Sequence, residues 1–539
     1  MIGVIASPAE HDVVREFFEL FKTPWEFHRG TRHYEVALCA GGEDPARANA
    51  DLVLVFAADR LPFDAALGLT STSERGPSLL SYRGRPLPIY GMRLTFDRSH
   101  GVDLRDARAG RSAGTVVRSG RRVVVRIGYN LFREIRAVLG AGQPTANASI
   151  PSVEMHIALV RDLIVRWAAP LVEIPPSPAG HPIIACLTHD VDHPSIRRHR
   201  WDHTALGFVY RATVGSLVNV ARGRLPLRGL IENLVAVITL PFVHLGLARD
   251  FWDEFPRYLR LEQGLASTFF VIPFEGVPGD TADGPAPAHR ASRYGARDIA
   301  HRIAALAAQG CEIGVHGLDA WRDSAKGRQE LEEIARLTGA SDPGVRMHWL
   351  YASDQSPAML EKAGFAYDST MGYNGAVGFR AGTTQVFKPF DAVRLLELPL
   401  HVMDTALFYP ARMHLSPRDA RARVSELLDD TARFGGVFTV NWHDRSIAPE
   451  RLWGDFYVAL LDDLRARNAW FATAGRAVAW FRKRRSAQFE AVSTDAGVVR
   501  VNVSCDGGDE LPALRLRVHR RDGTVDVPIA PKREILVAA

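Results

Sequence analysis

Between residues 183 and 487, short apolar segments alternate with segments that have helical spacing. "STFFVIP" is followed by "ARDIAHRIAALAAQG", and "VFTVNWHD" is followed by "APERLWGDFYVALLDDLRARN". Such alternation predicts parallel strands, because each return to the sheet needs a helical crossover. Strands joined in this way close most simply into a barrel, so we expect an α/β fold built on a (β/α) barrel.

The sequence on either side of this region has a different pattern. Residues 1–150 combine strand-like segments such as "MIGVIAS" and "YEVALCAG" with the helical spacing of "AEHDVVREFFELF", which predicts a small N-terminal α/β domain of unknown role. Residues 488–539 alternate with period two and predict a small C-terminal β appendage. We therefore expect domains at 1–150, 183–487 and 488–539.

Polar side chains stand where several predicted barrel strands end. "IIACLTHDVDHP" ends in two carboxylates between His189 and His193, and "CEIGVHG", "GVRMHWLY" and "VFTVNWHD" each carry a histidine. The carboxyl ends of barrel strands meet at one mouth, so these side chains can converge. Taken singly, the carboxylates could cap helices and the histidines could be buried core residues. The convergent residues are Asp190, Asp192, His316, His348 and His443.

Six segments then carry a resemblance to a known family. "THDVD", "STFFVIP", "EIGVHG", "GVRMHW", "LELPL" and "FTVNWH" occur in the order of the motifs of the polysaccharide deacetylase family, the NodB-homology carbohydrate esterases. The resemblance covers roughly residues 183–485. It implies a distorted (β/α) barrel of about seven strands. It also implies a divalent metal, for which zinc suits His and Asp ligands, and hydrolysis of an N-acyl group on a sugar.

The resemblance also implies a role for each matching residue. Asp190 matches the catalytic base, and Arg346 matches the arginine that holds this base. Asp192 and His316 match metal ligands. His443 matches the general acid, and the adjacent Asp444 is its expected carboxylate partner.

The sequence departs from the family pattern at the third metal ligand. The family's second motif usually has another histidine four residues after the first, where this chain has Ala320. Two residues offer replacements: Asp319 beside that position, and His348, which follows Arg346 in the third motif. We favour His348 because it falls at a predicted strand end. A ligand set completed by water stays open.

Three functions are compatible with these features. The first is a carbohydrate N-deacetylase in polysaccharide or glycolipid metabolism, in which a bound metal ion lowers the pKa of water to about 7. The second is a hydrolase of another C–N bond, such as a formamide. The third is a pseudoenzyme that only binds glycan, which the departures at Ala320 and after Arg346 favour.

Composition and terminal sequence bear on partners and location. Apolar residues make up 47% and charged residues 24%, as in soluble globular proteins, and a formal charge of +5 is small, so we expect no nucleic-acid partner. "MIGVIASPAEHD" has no basic leader, so we expect a cytoplasmic protein with a nucleotide- or lipid-linked carbohydrate substrate. The apolar stretch Leu230–Trp252 is interpreted either as a buried helical hairpin or as a peripheral, interfacial membrane contact, which would make the protein membrane-associated.

Overall fold

The computed structural model describes residues 1–97, 101–108, 110–495, 497–506, 510–529 and 534–538. The chain forms two compact units, each made from segments that are not contiguous in sequence. The first unit contains Met1–Gly180, Phe379–Phe390 and Ala479–Ala539, and the second contains His181–Gly378 and Asp391–Val478. The domain limits predicted from sequence stay a prediction.

The second unit is built on a parallel sheet. Its first strand is apolar and buried along its whole length, as expected for a strand covered on both faces. In chain order the strands are β1 (Ile184–Val191), β2 (Ser267–Val271), β3 (Glu312–Gly317), β4 (Val345–Met347), β5 (Tyr367–Asp368), β6 (Leu396–Glu397), β7 (Val402–Met403), β8 (Val437–Asn441) and β9 (Trp470–Phe471).

The first six strands are neighbours in chain order, and the last three lie on the other side of the first strand. Neighbours run β6-β5-β4-β3-β2-β1-β8-β7, and β9 also pairs with β1. Every pairing is parallel. The sheet is a curled half-barrel in a mixed α/β protein, and all its carboxyl ends lie at one edge. This confirms the predicted parallel α/β architecture around the polar strand ends.

One strand ends earlier than its sequence predicts. "GVRMHWLY" has strand-like character throughout, but β4 stops at Met347 and a short 3-10 turn, His348–Leu350, follows. Trp349 and Leu350 have φ angles of +64° and +55°, which no strand accommodates. The turn places His348 just beyond the sheet edge rather than within a strand.

Helices connect the strands, and one more helix follows the last strand. They are α1 (His203–Tyr210), α2 (Ser216–Ala221), α3 (Leu227–His244), α4 (Phe255–Leu261), α5 (Ala300–Ala308), α6 (Ser324–Thr338), α7 (Ser356–Ala363), α8 (Asp404–Phe408), α9 (Pro417–Phe434), α10 (Gly454–Ala466) and α11 (Ala474–Ser486). A π turn, Arg211–Gly215, joins α1 to α2.

Helix α3 contains most of the apolar stretch found in the sequence. The interpretation as a buried hairpin was wrong, because α3 is one helix with much of its apolar surface exposed; Ile231 is 61% and Ile238 is 69% exposed. By length and composition alone the helix could cross a membrane, with a mean hydropathy of 1.3. Burial inside the protein therefore does not explain its apolar character.

The first unit contains a six-stranded sheet. Its order is Gly114–Ser119, Arg122–Ile127, Ala50–Phe56, Tyr34–Ala40, Ile2–Ile5 and Trp25–Phe27, with only the first pair antiparallel. Its helices include His11–Phe21, Leu131–Gly140 and Ser152–Ala168. The strand Leu171–Glu173 pairs antiparallel with Arg515–His519, and Gln488–Asp495 pairs antiparallel with Val498–Ser504.

Candidate metal centre

Three side chains converge at the carboxyl ends of β1, β3 and β4. One potential ligand atom from each of Asp192, His316 and His348 lies within 4.8 Å of the other two. Asp192 Oδ1 is 3.4 Å from His316 Nε2 and 3.7 Å from His348 Nε2. Both imidazoles are buried, and the carboxylate is partly exposed. The group therefore has one side open to solvent.

A hydrogen bond orients the His316 imidazole, and another holds the backbone of His348. His316 Nδ1 lies 2.9 Å from the backbone oxygen of Arg346, so the hydrogen is assigned to Nδ1 and the lone pair to Nε2. This arrangement aims a free lone pair at Asp192, as metal-ligating histidines do. The backbone oxygen of His348 accepts a hydrogen bond of 2.8 Å from Arg290, a buried residue that the sequence analysis missed.

The charge distribution in this cluster fits a cation. Burial would raise the pKa of Asp192, but the neighbouring imidazoles hold it well below its usual value. Burial lowers the pKa of His348 well below its usual value, so this imidazole is neutral at pH 7. Among the described residues the buried Asp192 Oδ1 accepts no hydrogen bond. A buried carboxylate oxygen facing two imidazole nitrogens suits a divalent ion such as zinc.

Asp319, the other candidate for the third ligand, lies outside this group. Its Oδ2 accepts a hydrogen bond of 2.8 Å from Lys326 Nζ, and its Oδ1 accepts one of 2.8 Å from the Asp280 backbone. Both carboxylate oxygens are thus already engaged. The geometry brings His348 to Asp192 and His316, and it does not bring Asp319 there.

Asp190 is held by contacts from two other strands. Arg346 Nη1 donates to its Oδ1 at 3.0 Å, and Asn441 Nδ2 donates to its Oδ2 at 2.7 Å. The Asp190 backbone N–H donates in turn to Asn441 Oδ1 at 3.1 Å. Asn441 was missed at the sequence level, although it lies in the quoted segment "FTVNWH". These contacts fix the carboxylate in one orientation.

Arg346 is itself fully buried. It donates to Thr188 Oγ1 at 2.7 Å and to the backbone and hydroxyl oxygens of Ser369 at 3.0 and 2.9 Å. Its guanidinium lies 4.5 Å from the centre of the Phe270 ring. The other partners of this buried guanidinium are uncharged, so its positive charge is balanced by the Asp190 carboxylate.

His443 lies near Asp192 Oδ2, whereas His316 and His348 lie near Asp192 Oδ1. Its Nε2 is 3.7 Å from Asp192 Oδ2, and its Nδ1 is 2.6 Å from Asp404 Oδ1. The His443 backbone N–H also donates to Asp404 Oδ2 at 2.7 Å. Burial would lower the pKa of His443, but the Asp404 carboxylate overrides this and raises it to about 9.

The expected pairing of His443 with Asp444 was therefore wrong. The Asp444 carboxylate accepts hydrogen bonds from the backbone N–H groups of His193 and Arg445, each at 2.9 Å. A residue directly after His443 leaves the sheet with the chain, whereas Asp404 follows β7, the strand beside β8. The one sequence signal for Asp404 was its place at the end of an apolar segment, "LELPLHVMD".

The two histidines that flank the carboxylates in sequence have other partners. His189 is buried, with Nδ1 2.7 Å from the Trp442 backbone oxygen and Nε2 3.0 Å from Glu262. His193 Nδ1 is 3.1 Å from His199 Nε2. Neither residue belongs to the three-residue group around Asp192.

The arrangement combines a candidate cation site with a proton acceptor and a proton donor. Asp190 Oδ2 is 3.8 Å from His316 Nε2 and therefore borders the group. His443 Nε2 borders it at Asp192. A fixed carboxylate and a protonated imidazole beside a candidate cation site are the kinds of group that general base and general acid catalysis of acyl hydrolysis use.

Comparisons with known proteins give little further information. No family model matches the chain, and no curated protein matches it. Among solved structures, the chain is similar to a candidate polysaccharide deacetylase from Mycobacterium smegmatis, with 18% sequence identity and a TM-score of 0.34. The match covers 57% of this chain and 95% of the other. A likeness of this size carries no argument about function.

Proposed function

We propose that this protein is a metal-dependent hydrolase that removes an N-acetyl or other N-acyl group from a sugar. The observation that carries the proposal is that Asp190 and His443 both border the group formed by Asp192, His316 and His348. The order of the six sequence motifs that resemble the polysaccharide deacetylase family also supports it, with the half-barrel forming part of a distorted (β/α) barrel.

Asp192, His316 and His348 would hold the metal ion, for which we propose Zn²⁺. A divalent ion bound there lowers the pKa of a water molecule and polarises the acyl oxygen. With three protein ligands, the site keeps a position for water or substrate, which is the usual arrangement of a catalytic zinc site.

Asp190 acts as the general base. Hydrogen bonds from Arg346 and Asn441 occupy one lone pair on each of its oxygens, while each oxygen keeps a further lone pair that can accept a proton from water. Because both partners are fixed on other strands, the carboxylate does not need to reorient during the reaction.

His443 acts as the general acid. The amine of a sugar is too basic to leave as an anion, so the breaking C–N bond needs a proton at the nitrogen. Asp404 fixes the Nδ1 hydrogen of His443 and leaves the Nε2 hydrogen directed toward Asp192. This is the position from which a leaving amine would be protonated.

Metal content and acyl release test this function together. The purified protein is expected to hold about one divalent ion per chain and to release acetate from N-acetylated amino sugars, and dialysis against a chelator should remove both properties. Release of formate from N-formyl sugars, without acetate from the acetylated ones, would assign the formamide activity instead. A protein that binds glycan but no metal would be the pseudoenzyme and would contradict the proposal.

The third ligand provides a further prediction. His348→Ala should weaken zinc binding by more than about 100-fold, because loss of a partner that only orients a ligand already costs 10–100-fold. Asp319→Ala is the matched control and should leave zinc affinity nearly unchanged, since Lys326 and the Asp280 backbone occupy that carboxylate. Zinc titration with a competing chelator measures both. A loss confined to Asp319→Ala would exclude His348 as the ligand.

A nucleotide- or lipid-linked carbohydrate is the proposed substrate class. The cytoplasmic location and the absence of a nucleic-acid partner stay predictions from the sequence.

A further inference from the structure

A broad apolar surface lies on the segment between β1 and β2. Helix α3 has exposed apolar side chains that recur at spacings of three and four residues, which places them on one face about 100° wide. Soluble proteins rarely expose a continuous apolar surface of this extent unless it binds something. The exposed side chains are Leu227, Ile231, Leu234, Val235, Ile238 and Phe242.

The helices before α3 extend this surface. α3 packs beside α2 and the π turn, and Asn233 Nδ2 donates to Ser216 Oγ at 2.8 Å between the helices. α1, the π turn and α2 expose a second series of apolar side chains. We call both series together the apolar face. Its members before α3 are Leu206, Tyr210, Val214 and Leu217.

Helix α3 lies along the protein rather than projecting from it. Its Ala236 and Val243 are buried in a cluster with Trp252 and Phe208. Asn233 accepts a hydrogen bond of 2.6 Å from the backbone of Glu450. One side of the helix is therefore fixed to the second unit, which favours a helix lying in a membrane interface over one that crosses a bilayer.

The chain segment that carries the apolar face is rich in arginine. Residues 197–249 contain eight arginines and two acidic residues. Acidic residues outside this segment pair with Arg198, Arg211, Arg228 and Arg249. Arg200, Arg222 and Arg224 form no ion pair in the part of the chain that the structure describes. Trp201, beside Arg200, is 90% exposed, and tryptophan is enriched at membrane interfaces.

We propose that the apolar face docks on the surface of an anionic lipid bilayer. Apolar side chains on one face with arginines at its edge are the features of helices that lie in a membrane interface. A second copy of the chain fits less well, because a symmetric contact would bring two arginine-rich surfaces together.

The apolar face is connected directly to the candidate metal centre. The chain segment that carries the apolar face runs from Ile196, four residues after Asp192, to Asp250. At its start and end, the Asp250 carboxylate accepts hydrogen bonds from Ser195 Oγ at 2.6 Å and from the Ile196 backbone at 3.2 Å. The two ends of this segment therefore meet close to the carboxyl end of β1. This assignment of substrate rests on the proposed function. A site for an N-acyl sugar beside a surface that docks on lipid makes a lipid-linked acylamino sugar the substrate class.

Vesicle binding tests the docking surface. The full-length protein should co-sediment with vesicles of phosphatidylcholine mixed with phosphatidylglycerol, and less with phosphatidylcholine alone. Ile238→Glu should lower the partition coefficient between vesicles and water by at least about 10-fold. The variant lacks an apolar side chain that the membrane would bury, and its carboxylate is repelled by anionic lipid. Val393→Glu is the matched control, since Val393 is 81% exposed in the same unit but outside the apolar face, and it should bind as the wild type does.

Two outcomes would overturn the proposal. The first is a wild-type protein that stays in the supernatant with both kinds of vesicle. The second is a dimer in sedimentation equilibrium that Ile238→Glu dissociates, with vesicle binding unchanged. Asp190→Asn should bind vesicles as the wild type does, so a failure of the proposed catalysis would leave this result intact.

Discussion

Asp190→Asn is expected to lower the turnover of an N-acyl sugar by about 10²–10⁴-fold, the usual effect of removing a general base, without loss of the bound divalent ion. Asparagine has nearly the shape of aspartate, and its amide oxygen can still accept a hydrogen bond from Arg346. It cannot accept a proton from water at neutral pH. Because Asp190 lies outside the three-residue metal group, metal content measured by elemental analysis should stay near one ion per chain.

Asp192→Asn is the matched comparison, with the same substitution two residues away. It removes the charged oxygen that faces His316 and His348, so the variant should lose most of its metal together with its activity. A reversed result, in which Asp190→Asn loses the metal and Asp192→Asn keeps it, would show that the two carboxylates have exchanged roles. Equal metal loss in both would place Asp190 among the ligands.

His443→Ala is the second variant with a large expected effect, again about 10²–10⁴-fold on an acetamido sugar. The reason is the leaving group, since the amine must be protonated as the C–N bond breaks. An activated acetate ester expels an anion that needs no proton, so the same variant should hydrolyse the ester at a rate much closer to that of the wild type. The ratio of the two kcat/KM values measures the acid role.

Asp404→Asn separates positioning from chemistry. The side chain is fully buried, and its carboxylate holds His443 through Nδ1 and the backbone N–H. The variant should lose activity on the acetamido sugar and keep activity on the ester, in the same sense as His443→Ala but by a smaller factor. Equal losses on both substrates, or loss of metal from either variant, would exclude the general-acid role for His443.

The sequence predicted where the polar side chains would gather. The alternation of strands and helices requires parallel strands, and parallel strands place all their carboxyl ends at one edge. Side chains after β1, β3, β4 and β8 were therefore expected together before any contact was known. Asp190, Asp192, His316 and His348 lie there, and Arg346 contacts Asp190 as the motif resemblance implies.

Other features depended on distances between residues that are remote in sequence. Asp404 is 39 residues from His443 and Asn441 is 251 residues from Asp190, and the local sequence of neither residue shows which side chain it contacts. The sequence favoured Asp444 as the partner of His443 because it is adjacent, although adjacent residues need not point in the same direction. Strand order decided this pairing, because β7 lies beside β8.

The strand pattern by itself thus determined the type of fold and the edge of the sheet where the site lies, because hydrophobic periodicity is a local property of the chain. Only the tertiary structure decided which of Asp319 and His348 joins the other two metal candidates, and whether the apolar segment of α3 is buried or exposed. Both depend on how the folded chain fills the space around a residue: Lys326 donates a hydrogen bond to the Asp319 carboxylate, and the Ile238 side chain is left 69% exposed.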